Sequence, residues 1–144
     1  MTTLLRQPPK HFFCVSTDKA ANPVNVMGAT KRLMEDLAFS AADEFKSTTA
    51  RFANVAFSNG SLLDAFRHRI SKRQPLSMPG DVKRYFVSWE ESGQLCLLAS
   101  ITGQSREIFT PKLDATRDQY SFTTVAQQML VCIGYQFEAC KTEA

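Results

Sequence analysis

The sequence predicts an α/β fold with a few-stranded, mostly parallel sheet covered by helices, and three observations carry that expectation. Short apolar, aromatic or β-branched runs alternate along the chain with longer amphipathic ones. The first run, His11-Phe12-Phe13-Cys14-Val15, is apolar at successive positions, as in a parallel strand buried on both faces. The segment Ser16 to Lys31 then crowds acid, base, hydroxyl and turn residues between that strand and a helix. This puts Asp18 and Lys19 at a strand's carboxyl end, where open α/β sheets bind ligands.

Each further element follows from local chemistry. Pro23 cannot stand inside a helix and Asn25 is a good N-cap, so a helix is expected from about Val26 to Ala42. Met27 and Lys31 share one of its faces, extended by Thr30 and Met34, while Val26, Ala29, Leu33 and Leu37 form a neighbouring stripe suited to packing on a sheet. Thr48 to Val55 is β-branched and aromatic enough for a second strand, ended by the turn Ser58-Asn59-Gly60-Ser61. Ser61 with Asp64 resembles a capping box, and Leu62, Leu63, Phe66 and Ile70 give the helix after it an apolar stripe. Pro75, Pro79 and Gly80 punctuate a loop between Ser71 and Val82. Ser88 with Glu91 repeats the capping signature before Leu95, Cys96, Leu98 and Ala99. A short strand at Glu107 to Phe109 and a helix from about Phe122 to Ile133, stopped by Gly134, complete the order.

Composition bounds what the chain can do. With 144 residues, 44% hydrophobic and 22% charged, it can bury one core and is read as a single domain over 1–144. A net charge of +3 does not argue for nucleic acid. The basic bias from Arg67 to Arg84 lacks the interleaved aromatics of a nucleic-acid surface, and Arg67, Arg69 and Arg73 read as a solvated helix face. Apolar runs fall far short of about 20 residues, so neither a membrane segment nor a signal peptide is expected. Cys14, Cys96, Cys132 and Cys140 are spaced too widely for a zinc ribbon, and His11 and His68 show no ligand spacing. The expectation is reduced thiols, no metal and a cytoplasmic location.

These residues resemble a known family, the extended short-chain dehydrogenase/reductases of polysaccharide biosynthesis (nucleotide-sugar epimerase/dehydratase family), in their UDP-N-acetylglucosamine 4,6-dehydratase-like branch. In that branch a Thr-Asp-Lys triplet ends a central strand, and Asn-Pro leads into a helix carrying Tyr-x-x-x-Lys, or Met-x-x-x-Lys in the larger membrane-associated members. Thr17, Asp18, Lys19, Met27 and Lys31 hold those places here. Arg51-Phe52-Ala53-Asn54-Val55, Ser58-Asn59-Gly60-Ser61 and Lys83-Arg84-Tyr85-Phe86 are further matches. The resemblance spans nearly the whole chain and implies the C-terminal portion of a Rossmann-like fold.

It also implies a chemistry. Dehydrating a hexose across C5 and C6 needs a base for a carbon acid, an acid for the leaving hydroxyl and a hydride acceptor that first oxidises C4. By resemblance Lys19 is the base, Asp18 the acid, and Thr17 holds the C4 hydroxyl. Lys31 orients the cofactor ribose, and Asn54, Ser61 and Arg84 bind the nucleotide sugar, a UDP-sugar. The Arg84 guanidinium matches phosphate oxygens in a fork. Arg51 is a weaker diphosphate candidate, since an arginine on a strand pairs equally well with a core carboxylate. Met27 departs from the wider pattern: a thioether has no proton to give and cannot serve as the tyrosine acid/base.

The cofactor is NADP or NAD in the full-length family. Its binding needs a strand, a G-x-G-x-x-G turn and a helix. The six glycines, at 28, 60, 80, 93, 103 and 134, contain no such spacing, and only eleven residues precede Phe12. The expectation is therefore a fragment without the N-terminal cofactor-binding half, binding no dinucleotide by itself and inactive alone. The alternative is a stand-alone, non-catalytic protein of the same descent that self-associates or binds a partner. An uncovered strand edge near Phe13 and bared apolar helix faces favour a homo-oligomer.

Overall fold

The computed structural model describes residues 9–79, 82–136 and 138. It contains strands β1 (His11–Thr17), β2 (Lys46–Phe52), β3 (Asn54–Val55), β4 (Lys83–Val87), β5 (Glu107–Phe109) and β6 (Gln119–Ser121). The helices are α1 (Val26–Ser40), α2 (Leu62–Ser71), α3 (Trp89–Ile101) and α4 (Phe122–Cys132), and a 3-10 turn, Asp18–Ala20, follows β1. The chain divides into two compact units, one holding residues up to Val55 with Val87–Leu113, the other Ala56–Phe86 with the residues from Asp114 onward.

The first unit is a parallel sheet in the order β1-β2-β5. Its register runs from His11 opposite Lys46 to Thr17 opposite Phe52, and from Thr48 opposite Glu107 to Ala50 opposite Phe109. A central parallel strand is covered on both faces, yet the middle of β2 is polar: Ser47, Thr48 and Thr49 are fully buried. Burying a hydroxyl is tolerated when it is hydrogen-bonded. Thr49 Oγ1 donates to the Cys14 carbonyl at 2.8 Å, and Thr48 Oγ1 donates to the Ala99 carbonyl of α3 at 3.0 Å while meeting His11 Nε2 at 2.7 Å. Successive strand residues face opposite sides, so Thr48 meets α3 while Arg51 reaches Glu35 of α1. The apolar core lies on the α3 side, where Ala50, Phe52, Val87 and Ala99 pack with Phe13, Leu95 and Phe109.

In the second unit β4 and β6 pair antiparallel, with Lys83 opposite Ser121 and Tyr85 opposite Gln119. Leu63, Phe66 and Ala126 form its core with Leu76, Met78, Phe86 and Met129.

The helix starts expected from sequence are present. Asn25 Oδ1 accepts from the Gly28 amide at 2.9 Å, and Ser88 with Glu91 closes a full capping box. At Ser61 half a box forms: Ser61 Oγ accepts from the Asp64 amide, but the Asp64 carboxylate accepts from the Gly60 amide instead of that of Ser61. Gly134, at φ +82°, ends α4 in the left-handed conformation.

Three expectations are corrected. The strand expected over Thr48 to Val55 starts earlier, at Lys46, and breaks at Ala53. Helix α1 stops at Ser40. Its sheet-facing residues are Gly28, Glu35 and Ala38, whereas Val26, Leu33 and Leu37 point outward. The reason is a pairing that periodicity does not encode, since Glu35 is drawn inward by Arg51. Strand β6 is short and polar, so β propensity gave no signal for it. Of the loop between Ser71 and Val82, Gly80 lies outside the described residues, as do Cys140 and Phe137. Cys14 is buried and Cys96 partly so, but Cys132 is exposed.

Candidate active site

Thr17 is the last residue of β1 and caps the 3-10 turn that follows. Asp18 and Lys19 therefore emerge from the sheet where the parallel strands end, beside the amino-terminal turns of α1. Thr17 Oγ1 donates to Asp18 Oδ1 at 2.9 Å, and Lys19 Nζ meets the same oxygen at 3.2 Å. One carboxylate oxygen thus gathers a hydroxyl and an ammonium, and three consecutive side chains form one polar cluster. Lys19 is 33% and Asp18 51% exposed. Both side chains reach solvent.

Lys31 lies on the same side. Its Nζ donates to the Val15 carbonyl at 2.9 Å, two residues before Thr17. Met27, one helical turn earlier on α1, is 49% exposed. Beneath the turn Arg51 is committed to Glu35 through two bonds, Nε to Oε1 at 2.9 Å and Nη2 to Oε2 at 2.6 Å. The core-carboxylate alternative is the one realised for this arginine. Burial pushes the Glu35 carboxyl up, but hydrogen bonds from Arg51 outweigh it and hold the group below the usual range. The Ser16 hydroxyl lies near enough to favour the carboxylate further, although it completes no hydrogen bond of standard geometry.

The remaining candidates are placed as follows. Asn54 is half-buried on β3 of the first unit. Ser61 is the N-cap of α2 in the second unit, its hydroxyl engaged with the Asp64 amide. Arg84 is exposed on β4, its Nη1 donating to the Lys83 carbonyl at 2.9 Å and its guanidinium 6.0 Å from the centre of the Phe122 ring. That aromatic shelf was not foreseen, because Phe122 follows β6, whose pairing with β4 is tertiary.

Two other places carry less. An apolar groove of about 230 Å³, lined by Phe12, Thr30, Leu33, Met34, Leu37 and Ala38, contains no titratable group. Among the described residues no three His, Cys, Asp or Glu side chains converge as metal ligands. Burial raises the Cys96 thiol above its usual range, which disfavours the thiolate. Among the described residues no helix is long and apolar enough to cross a membrane.

Known proteins resemble the chain in sequence and in fold. An uncharacterized membrane protein of Methanocaldococcus jannaschii is 38% identical over 133 residues, covering 88% of this chain and 40% of that protein. The capsular polysaccharide biosynthesis protein CapD of Staphylococcus aureus is 38% identical over 102 residues, 68% of this chain and 17% of CapD. Among solved structures, Pen from Bacillus thuringiensis superposes with a TM-score of 0.78 at 25% identity, over 88% of this chain and 41% of Pen. The dTDP-glucose 4,6-dehydratase of Bacillus anthracis, solved in complex with NAD, superposes at 0.72 with 13% identity, over 86% of this chain and 46% of that enzyme, a likeness of fold. The chain thus spans less than half the length of each of these proteins, and its fold is the Rossmann-like one of the extended short-chain dehydrogenase/reductases. A model of the family described as polysaccharide biosynthesis protein matches residues 4–144, and the chain belongs to that family.

Proposed function

We propose that this chain carries the proton-transfer and sugar-binding portion of a nucleotide-sugar 4,6-dehydratase of the UDP-N-acetylglucosamine type, and that by itself it is inactive. The observation that carries the reading is the hydrogen-bonded Thr17-Asp18-Lys19 cluster at the carboxyl end of β1.

On a 4-keto hexose, Lys19 as the neutral amine takes the C5 proton while protonated Asp18 gives its proton to the departing C6 hydroxyl. Water leaves and the C5–C6 bond becomes double. Asp18 and Lys19 then hold each other's opposite charge, as they do now at 3.2 Å. In the resting chain Thr17 steers Asp18 through its 2.9 Å bond; once Asp18 is protonated, the Thr17 hydroxyl proton is released to the oxygen at C4. Arg84, on its Phe122 shelf, is the guanidinium for a diphosphate, with Asn54 and Ser61 as further sugar-nucleotide contacts.

A dinucleotide does not fit the residues present. The glycines give no phosphate-cradling turn; Lys31, the ribose candidate, spends one of its three N–H donors on the Val15 carbonyl.

The test is calorimetric titration with UDP, UDP-N-acetylglucosamine and NADP(H) separately. Heat from the sugar nucleotide with none from the dinucleotide supports the reading. Turnover of the sugar nucleotide by the chain with added coenzyme, or silence toward all three ligands, refutes it.

One observation favours the second reading, a non-catalytic cytoplasmic self-associating protein of the same descent. Val26, Leu33 and Leu37 of α1 are 80%, 59% and 53% exposed. Large exposed apolar side chains along one helix favour association. A concentration-independent monomer in light scattering would count against it.

A further inference from the structure

Three residues of α1, spaced three and four apart, meet the end of β1 in succession. Glu35 holds Arg51, which lies opposite Ser16 in the sheet. Lys31 donates to the Val15 carbonyl at 2.9 Å. At Gly28 the helix makes no bond with its side chain because there is none, and that is where the turn comes closest. A Cβ there would stand 2.7 Å from the Lys19 carbonyl oxygen, 3.3 Å from the Lys19 carbonyl carbon and 3.2 Å from Pro23 Cα.

All three of those atoms are backbone. A flexible side chain could swing aside, but the Lys19 peptide and Pro23 belong to the chain linking β1 to α1 and cannot yield singly. Nor is position 28 reserved for glycine by its backbone: it is helical, where alanine is ordinarily preferred. Space alone explains the glycine. We propose that Gly28 is a positioning residue: the missing side chain sets how closely the Thr17-Asp18-Lys19 turn rests on α1, and so fixes Asp18 and Lys19 relative to Lys31. The functional meaning rests on reading that turn as the proton-transfer site for a nucleotide sugar. The geometric claim does not.

The test compares the full chain with Gly28→Ala and Gly93→Ala in two-dimensional amide NMR and thermal unfolding. Gly93 lies inside α3 with nothing within 4 Å of its Cβ direction, so it controls for helix propensity. The expected result is displacement of the Thr17, Asp18 and Lys19 resonances in Gly28→Ala, with α3 and the second unit unmoved, and a lowered melting temperature. Gly93→Ala should melt at or above the parent. Unmoved resonances at Thr17–Lys19, or shifts spread evenly over both units, would overturn the proposal. Should Gly28→Ala fail to fold, the parent chain decides: a nuclear Overhauser cross-peak between a Gly28 Hα and the Pro23 Hα is expected, and its absence overturns the proposal. If the parent binds no sugar nucleotide, the functional reading fails while these spectra still decide the positioning role.

Discussion

Glu35→Gln tests the buried pair that braces the candidate site from below. Glu35 is 1% and the Arg51 side chain 12% exposed, and they are joined by bonds of 2.9 and 2.6 Å. The amide keeps the size of the carboxylate and one acceptor, but it leaves the guanidinium's charge uncompensated in a site that water barely reaches. Breaking a buried pair from one side costs about 3–5 kcal/mol. The retained acceptor puts this variant at the lower end, about 3 kcal/mol, in urea unfolding followed by circular dichroism. The pH dependence is a second reading of the same pair. Folded Glu35 titrates below its unfolded value of about 4.3, so the unfolded chain binds more protons between the two values. The pair's contribution is complete above the unfolded value and is lost as pH falls through the folded one. Glu35→Gln should lack that part of the acid slope. The double variant Glu35→Leu/Arg51→Met should recover most of the loss, since it buries no charge. A loss under about 1 kcal/mol, with the acid slope intact, would refute the claim that this pair is desolvated and stabilising.

Three further outcomes are expected. Thr48→Val keeps the shape of β2 but strips partners from the Ala99 carbonyl and His11, and should cost about 1–3 kcal/mol in the same unfolding assay. Ser88→Ala opens the capping box of α3 and should cost about 1 kcal/mol, with loss of helical ellipticity on mild heating. Lys19→Ala should leave the melting temperature within a few degrees, because Lys19 is partly exposed and surface pairs contribute little, while the heat of UDP-N-acetylglucosamine binding falls.

What could be read from the sequence was what depends on neighbours in the chain. The Asn25, Ser61 and Ser88 caps, the Pro23 boundary and the Thr17-Asp18-Lys19 cluster each follow from residues within four positions of one another. What could not be read depends on distant partners. Apolar periodicity puts Leu33 and Leu37 on the sheet side of α1 because it ignores an arginine 16 residues away that draws Glu35 inward. The polar middle of β2 gave no hint of full burial, since its two threonine hydroxyls are satisfied by Cys14 and Ala99, 35 and 51 residues away. Arg84 was legible as a guanidinium on a strand, but its aromatic companion was not.

The two end contacts of α1 make the helix fit its bed in a single setting. Sliding it by one turn, about 5.4 Å, would drive a side chain into the Lys19 peptide at one end and part the Glu35 carboxylate from Arg51 at the other. A ratchet between helix and sheet is thereby closed off as a source of movement.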